Sequence, residues 1–333
     1  MNTITLAVTA GDYNGIGPEI IIKALDEFTS KSASQTVLFC AREVLESTFG
    51  QFSTALQARF KPGYLSALAS LYPDTKKYTF NLNDFTPGKS TLRSGESARL
   101  YLSDSIACWK RGECDCIVTA PIVKYTFFPP DDPYPGQTEW IAHQVGYRQS
   151  LMMMVKKSFR VALATTHIPL RNISSILTTQ LIIEKGKLFL ESLQNDFGIK
   201  HPRIAVCGLN PHSGEQGRFG DEEKTIITPA IEQLKPIGGE WHGPLAPDTV
   251  FEESIRIKFD GIVSLYHDQG LIPFKMQCGF TGVNFTAGLP IVRTSPDHGP
   301  ALDRAGTGTA DYQGLLEALF VAQDVANRRT KNR

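Results

Sequence analysis

The segment Gly261-Ile262-Val263-Ser264-Leu265-Tyr266-His267-Asp268-Gln269-Gly270 carries an apolar run into a histidine, an aspartate and a turn glycine. Such a run predicts a buried strand that presents polar side chains at its carboxyl end. Two other segments repeat the arrangement, because residues 161–166 run into His167 and residues 204–211 run into His212. Side chains placed just after strands meet beyond the carboxyl ends of an open α/β sheet. The three histidines are therefore candidates for one shared site.

The rest of the chain has the same alternation of apolar runs and helical patterns, which is typical of α/β proteins. The first run, Ile4 to Thr9, leads through the glycine-rich residues 11–17 to Pro18 and Glu19, two residue types that favour the first turn of a helix. A turn of this kind can bind an anion or can simply connect a strand to a helix. It lacks both the G-x-G-x-x-G spacing and the lysine of a phosphate loop. The predicted fold class is α/β, without an ordinary nucleotide-binding motif.

Composition limits the class of function. The 333 residues exceed the usual size of one hydrophobic core, so two domains are expected. Lys plus Arg and Asp plus Glu each total 34, and no block of like charge points to a nucleic acid or to a membrane surface. We therefore expect a small-molecule substrate.

Cellular location is predicted from the N-terminus and the cysteines. The N-terminus has no basic leader before its apolar run, and no segment reaches the roughly 18 apolar residues of a membrane span. Several of the six cysteines lie in strand-like runs, as small core residues do in a reducing compartment. A cytoplasmic protein is predicted.

Two interpretations of His167, His212 and His267 remain open on spacing alone. They are 45 and 55 residues apart, which fits successive strand-helix-strand units but forms no compact motif. Neutral imidazoles suit zinc, cobalt, nickel or iron(II), and three protein ligands leave positions open for a substrate. The alternative is that the three side chains are hydrogen-bonded separately in loops.

Other polar residues also allow two interpretations. Lys275, Asn284 and Arg293 follow one another at intervals of nine residues and can bind a phosphate or carboxylate, or they are unrelated surface residues. Asp248 and Asp268 are candidate bases. An aspartate beside a metal-binding histidine can equally serve to orient the imidazole.

Six groups of residues spread over nearly the whole chain carry a resemblance to one enzyme family. They are Gly11-Asp12 with Gly15-Ile16-Gly17-Pro18-Glu19, Thr119-Ala120-Pro121-Ile122 with Lys124, Ala164-Thr165-Thr166-His167 with Pro169-Leu170, Gly208-Leu209-Asn210-Pro211-His212 with Gly214-Glu215, Tyr266-His267-Asp268-Gln269-Gly270, and Arg293-Thr294-Ser295 with Asp297-His298-Gly299. In these residues the sequence resembles the 4-hydroxythreonine-4-phosphate dehydrogenases of pyridoxal phosphate biosynthesis.

The resemblance implies a fold like that of the isocitrate and isopropylmalate dehydrogenases. Two α/β/α domains with a cleft between them are expected, in a homodimer with shared active sites. The first domain is expected to be discontinuous, residues 1–134 plus 274–333, and to contain a nucleotide-binding loop. The second, residues 135–273, is expected to hold the metal ligands and the dimer interface. Each boundary is expected to within about 15 residues.

The resemblance also implies roles for individual residues. His167 and His212 correspond to metal ligands of one subunit and His267 to a ligand from its partner, with zinc as the first expectation for the divalent metal and magnesium or cobalt as alternatives. The expected substrate-binding residues are Gln137, Thr138, Lys275, Asn284 and Arg293. The loop expected to contact NAD, or alternatively NADP, contains Ser295, Asp297, His298, Gly306 and Asp311. The base or proton relay is left open among Asp248, Asp268 and Lys275.

The implied reaction is the oxidation of 4-phosphooxy-L-threonine at its C3 hydroxyl by NAD, followed by decarboxylation to 3-amino-2-oxopropyl phosphate. A metal ion would lower the pKa of the hydroxyl and then stabilise the enolate formed when carbon dioxide leaves. The alternative is a paralogous dehydrogenase of the same family that acts on a phosphorylated four-carbon sugar acid or on a cyclic dihydrodiol.

One departure from the family pattern bears on the substrate. The family usually has Gly-His-Thr-Glu where this chain has Gly136-Gln137-Thr138-Glu139. A glutamine amide can form hydrogen bonds but does not titrate near neutral pH, as a histidine does. The exchange therefore affects either substrate identity or a proton relay.

Overall fold

The structure is a computed structural model that describes residues 3–69, 78, 80–134 and 136–331. It consists of two units, Met1–Gly146 with Pro290–Asn327, and Tyr147–Leu289 with Arg328–Arg333. The family resemblance predicted that the chain passes from the first unit to the second near residue 134 and returns near residue 273. Among the described residues, no helix combines the length and apolar character needed to cross a membrane.

Strands and helices alternate along the chain. The strands are β1 (Thr5–Thr9), β2 (Gln35–Phe39), β3 (Cys116–Thr119), β4 (Leu151–Lys156), β5 (Phe159–Leu163), β6 (Arg203–Cys207), β7 (Glu240–Leu245), β8 (Gly261–Ser264), β9 (Val283–Ala287) and β10 (Val292–Pro296). The helices are α1 (Gly17–Lys31), α2 (Arg42–Gly50), α3 (Thr54–Gln57), α4 (Tyr64–Ala69), α5 (Leu92–Lys110), α6 (Lys124–Phe127), α7 (Gln137–Gln144), α8 (Ile173–Ile176), α9 (Thr179–Asn195), α10 (Thr228–Leu234), α11 (Pro247–Val250), α12 (Glu253–Arg256), α13 (His267–Cys278) and α14 (Gln313–Lys331).

The first unit contains a parallel arrangement of strands in the order β2-β1-β3-β10. Residues on both faces of β3, such as Ile117 and Val118, are fully buried. Strands covered on both faces read as continuous apolar runs and not as an alternating pattern, which is why the sequence showed such runs. The predicted α/β class is confirmed.

The glycine-rich turn after β1 is a close-packed connection. A Cβ atom on Gly17 would lie 2.1 Å from the carbonyl oxygen of Ala10. A Cβ atom on Gly11, whose φ is +67°, would lie 2.2 Å from the carbonyl oxygen of Pro121. Only glycine permits main chain to approach main chain so closely. The structure thus gives these glycines a packing role.

Glu19 ties the start of α1 to the loop before α14. Its buried carboxylate accepts hydrogen bonds from the N–H groups of Gly308 and Ala310. It also pairs with Lys23 at 2.7 Å, and the Lys23 ammonium donates to the carbonyl oxygens of the same two loop residues. A buried carboxylate and a largely buried ammonium thus satisfy each other and fix the loop to the helix.

The second unit has its strands in the order β9-β4-β5-β8-β6-β7. Strand β4 is antiparallel to β9 and β5, and the remaining neighbours are parallel. Strand β4 is not evident from the sequence, because its run of three methionines lacks the β-branched residues that indicate a strand.

Glu240–Leu245 forms β7 and Pro247–Val250 forms α11, although the glycine and the proline at 243 and 244 favour a loop. β7 tolerates this proline because it is the edge strand of the sheet, where a missing N–H removes no ladder hydrogen bond on the outer side.

The contact at Gly17 generates the first testable prediction. Gly17→Ala should lower the free energy of unfolding by about 3 kcal/mol, because the new Cβ atom must displace the backbone at Ala10. Urea unfolding measures the change. The matched control is Gly50→Ala, at the last position of α2, where a Cβ atom would meet nothing within 4 Å, and its effect should stay within about 0.5 kcal/mol. Equal effects of the two substitutions would contradict the packing role.

Candidate functional site

The three histidine-bearing segments leave neighbouring strands of the second unit. Strand β5 leads to His167, β6 to His212 and β8 to His267. β8 lies between β5 and β6 and is parallel to both. The carboxyl ends of the three strands therefore lie along one edge of the sheet, where polar side chains of an α/β fold gather.

Buried hydrogen bonds connect these strand ends. The Thr165 hydroxyl donates to the carbonyl oxygen of Leu265 at 2.7 Å. Gln269 accepts from the Leu265 N–H at 2.7 Å through Oε1 and donates from Nε2 to the carbonyl oxygen of Gly208 at 2.8 Å. The segment before His167, the segment before His212 and the segment around His267 are thereby held together. Thr165 and Gln269 lie inside the motifs that carry the family resemblance, but no pattern in the sequence indicated these hydrogen bonds.

His167 and His267 are close together within one chain. Their ring centroids are 6.1 Å apart. Asp268 Oδ1 lies 2.6 Å from His267 Nδ1, the usual arrangement of a metal-binding histidine, because it leaves Nε2 available to the metal. Asp268 is thus placed to orient an imidazole.

His212 lies on a strained turn. Residues 212–216 all have positive φ, between 40° and 75°, and four of the five are not glycine, so the left-handed conformation costs energy at each of them. The His212 ring packs against Phe219 at a centroid distance of 6.2 Å. Among the described residues, no three His, Cys, Asp or Glu side chains are close enough to one another to hold a metal. One chain therefore brings two of the predicted ligands together and leaves the third apart.

Glu223 anchors the strained turn. Its buried carboxylate accepts hydrogen bonds from the N–H groups of Leu209 and Asn210 at 2.8 and 2.7 Å and from the Asn210 amide at 3.0 Å. Burial alone would raise the pKa of Glu223, but the hydrogen bonds from Asn210 and Leu209 outweigh it and lower the pKa. Glu223 begins a π-helical turn, Glu223–Ile227, a rare element that often marks a functional region. No spacing in the sequence indicated a role for this glutamate.

Four further candidates in the second unit differ in exposure. Asp248 is exposed on α11, and Lys275 and Asp268 are exposed on α13. Asn284 on β9 is partly buried, and its Oδ1 atom is buried with no hydrogen-bond partner in the described part of the chain. An unsatisfied buried acceptor is costly unless a bound molecule supplies a donor.

Arg293 is the centre of the candidate residues in the first unit. Its side chain is 3% exposed, and its Nη2 atom donates to Thr119 Oγ1 at 2.8 Å and to Gln137 Oε1 at 3.0 Å. Burial lowers the pKa of Arg293 to about 10, and Glu139 opposes the shift. The guanidinium therefore stays charged at neutral pH. Thr138 follows Gln137 in the first turn of α7.

The residues of the loop predicted to contact a dinucleotide differ in burial, hydrogen bonding and backbone conformation. Ser295 is buried at the end of β10, and the Nε2 atom of His298 is buried with no hydrogen-bond partner in the part of the chain that is described. Gly306 has a φ of +77°. Asp311 accepts a hydrogen bond from the Gln313 N–H at the start of α14, so this carboxylate has a structural task. His298 is the residue here that best fits an added polar ligand.

Comparison with known proteins covers almost the whole chain. The model of the family "pyridoxal phosphate biosynthetic protein PdxA" matches residues 32–322. The chain is 39% identical over 342 residues to a 4-hydroxythreonine-4-phosphate dehydrogenase of Bacteroides thetaiotaomicron, with all of this chain and 91% of that protein covered. The solved 4-hydroxythreonine-4-phosphate dehydrogenase of Klebsiella pneumoniae matches with a TM-score of 0.78 and 33% identity, over 97% of this chain and 98% of the other.

A more distant solved structure is also similar. A terephthalate 1,2-cis-dihydrodiol dehydrogenase of Burkholderia xenovorans matches with a TM-score of 0.62 and 26% identity, over 97% of this chain and 98% of the other. Fold and relatives together define an α/β dehydrogenase. The chain belongs to the PdxA family of pyridoxal phosphate biosynthetic proteins.

The hydrogen bonds of Gln269 give a second prediction. Gln269→Met keeps the side-chain length but leaves the Leu265 N–H and the Gly208 carbonyl unsatisfied in the interior, which should lower the free energy of unfolding by about 3 kcal/mol. The control is Gln277→Met on the same helix, an exposed residue with one hydrogen bond to Phe251, which should cost under about 1 kcal/mol. If both variants unfold at the same urea concentration, the two hydrogen bonds of Gln269 do not determine the stability of this region.

Proposed function

We propose that the protein oxidises 4-phosphooxy-L-threonine at its C3 hydroxyl with NAD, in a reaction that needs a divalent metal and ends with decarboxylation to 3-amino-2-oxopropyl phosphate. Membership of the PdxA family and the names of its full-length relatives support this reaction. The observation that carries it is the chemistry of the two sets of side chains: imidazoles at the strand ends of one unit, and a buried, charged Arg293 held by Thr119 and Gln137 in the other.

His167, His212 and His267 would hold the metal, with zinc as the first candidate and magnesium or cobalt as the others. Their chemistry fits, because imidazole nitrogens are good ligands of zinc and cobalt, and because His267 already has the carboxylate partner typical of a metal ligand. A divalent ion there supplies a Lewis acid that polarises a hydroxyl or carbonyl oxygen.

The chain's own groups would bind and orient the substrate and move its proton. Gln137, Thr138 and Arg293 in the first unit and Lys275 and Asn284 in the second are proposed as substrate-binding residues. Asp248 and Lys275 are the proposed bases or relays. Asp268 is the weaker base candidate, because its carboxylate already pairs with His267. NAD, or alternatively NADP, is proposed to contact Ser295, Asp297, His298, Gly306 and Asp311.

A homodimer with shared sites is part of the proposal. Helix α13 begins at His267 and carries three exposed apolar side chains at intervals of four residues, Ile272, Met276 and, just beyond its end, Phe280. Their exposed fractions of 58%, 82% and 65% are high for large apolar residues, and such stripes commonly mark protein interfaces. A second copy docked there would cover this stripe, and the metal site proposed at His267 is incomplete within the described part of one chain.

The cytoplasm is the proposed location of the reaction. All six cysteines are free, and five of them are buried, as in proteins of a reducing compartment.

A second candidate is a related dehydrogenase reaction on a cyclic dihydrodiol or on a phosphorylated four-carbon sugar acid. The similarity to the terephthalate dihydrodiol dehydrogenase supports the first of these. The charged, buried Arg293, which donates hydrogen bonds to Thr119 and Gln137, favours an anionic substrate and thus argues against a diol that has neither a carboxylate nor a phosphate group.

The third prediction tests the reaction directly. Purified protein with NAD should reduce the cofactor, seen as new absorbance of NADH, with 4-phosphooxy-L-threonine in preference to phosphorylated erythronate and threonate or to a dihydrodiol. Thorough chelation should abolish turnover, and zinc or cobalt should restore it, because the substrate oxygen loses its Lewis acid. Full activity after chelation would refute the metal requirement. Faster turnover of a substrate without an amino group would show that 4-phosphooxy-L-threonine is not the preferred substrate.

The fourth prediction tests whether His267 serves the neighbouring subunit. Mixing inactive His167→Ala with inactive His267→Ala, under conditions of subunit exchange, should restore about a quarter of wild-type activity, because half of the dimers would be mixed and each would have one intact site. The matched control is a mixture of His167→Ala with His212→Ala, which should stay inactive since both ligands come from the same subunit. No recovery in the first mixture would favour a site in which His167 and His267 act within one chain.

A further inference from the structure

Two cysteines of the first unit lie where helix α5 ends and the chain turns into strand β3. The Glu113 N–H donates to the carbonyl oxygen of Cys108 at 3.1 Å, and the Gly112 N–H donates to that of Trp109 at 2.9 Å. Gly112 has a φ of +72°, as the glycine of this type of helix end requires. Because these bonds turn the main chain back over the last turn of α5, the next residue, Cys114, returns toward Cys108.

The two thiols meet in the interior of the unit. Cys108 is 2% exposed and Cys114 is 4% exposed. The Cys114 Sγ atom lies 4.0 Å from the carbonyl oxygen of Ser105, a residue one helical turn before Cys108 and therefore on the same face of α5. The side chains of Cys108 and Cys114 interact through a hydrogen bond. Such an approach of two sulfur atoms is the first requirement for a disulfide.

The surroundings make the two thiols unequal. The hydrogen bond from Cys114, together with the charge of Arg111, outweighs burial and Glu113 and lowers the pKa of Cys108. The same hydrogen bond and burial raise the pKa of Cys114. The thiolate is the reactive form of cysteine. Cys108 is therefore the thiol that reacts first, and Cys114 is the thiol that follows.

We propose that Cys108 and Cys114 are a reversible oxidation site for small hydroperoxides, at which an intramolecular disulfide joins the end of α5 to the segment before β3. The Cys108 thiolate attacks one oxygen of hydrogen peroxide, the O–O bond breaks, and a sulfenic acid forms on Cys108 while hydroxide leaves. The Cys114 thiol then attacks the Cys108 sulfur, loses its proton and expels the hydroxyl group as water. Overall, two thiols and one peroxide give one disulfide and two water molecules.

Burial determines which oxidant fits. Hydrogen peroxide is close to water in size, so a brief opening of the last turn of α5 admits it, whereas a bulky disulfide must reach the sulfur in line with its own S–S bond. Burial also raises the pKa of the Cys40 and Cys207 thiols, which keeps them in the unreactive form. The site uses none of the residues proposed for metal, substrate or NAD, so it is independent of the proposed function.

Intact-protein mass spectrometry after exposure to hydrogen peroxide tests the site. The starting protein is the Cys278→Ala variant, because Cys278 is partly exposed and would itself consume peroxide. We expect a loss of about 2 Da, the two thiol hydrogens, and a peptide map in which Cys108 is linked to Cys114. Dithiothreitol should restore the original mass.

Substitution of each thiol in this protein separates their roles. Cys114→Ser keeps a hydrogen-bond donor but cannot form the disulfide, so Cys108 should proceed to the sulfinic acid, with a gain of about 32 Da that dithiothreitol does not reverse. Cys108→Ser should leave Cys114 reduced, with about tenfold slower oxidation, because its pKa is raised. The matched control is Cys116→Ala, a buried position on β3, which should form the disulfide as before.

Thermal unfolding under reducing conditions checks that each variant is folded. Three outcomes would overturn the proposal: no loss of about 2 Da in folded Cys278→Ala protein, a disulfide that includes Cys116 or joins two chains, or the same oxidation products in Cys108→Ser and Cys114→Ser. The experiment needs neither NAD nor substrate. A failed dehydrogenase assay therefore leaves the oxidation site standing, and a failed oxidation leaves the dehydrogenase assay standing.

Discussion

The pair of hydrogen bonds made by Gln269 is the constraint on which the second unit's strand ends depend. A glutamine amide carries one acceptor and two donors on a short rigid group. Here its oxygen meets the Leu265 N–H and its nitrogen meets the Gly208 carbonyl, 61 residues away along the chain. Both main-chain groups are buried and would be costly without partners. An apolar residue could fill the space but could not join the two strand ends.

The candidate residues of the two units differ in chemistry. In each unit, polar residues hold the candidate residues in position. In the second unit, the hydrogen bonds of Glu223 and Gln269 hold the histidine-bearing segments at the ends of the strands. In the first unit, Thr119 and Gln137 hold a guanidinium whose burial would otherwise be unfavourable. In both cases a conventional core supplies the stability, and a few polar groups within it specify which atoms face outward.

The sequence predicted the parts of the structure that depend on local pattern. The strands leading to the three histidines are continuous apolar runs, as the sequence pattern predicted. Strand β4 and edge strand β7 escaped prediction because methionine, glycine and proline obscure the pattern. The partners of Thr119, Thr165, Glu223 and Gln269 are set by tertiary neighbours, so no spacing in the sequence indicated them. The six motifs identified the family, and they contain Thr119, Thr165 and Gln269 without explaining why these residues are needed.

The left-handed turn at residues 212–216 affects the stability of the protein. Glycine would adopt the same backbone without the steric penalty that Ser213, Glu215 and Gln216 incur. The molecule therefore carries local strain at residues 212–216, just after Leu209 and Asn210, which Glu223 holds by hydrogen bonds. Natural proteins often accept a lower melting temperature where activity needs an unusual conformation. The backbone of residues 212–216, which includes the candidate ligand His212, thus costs stability locally.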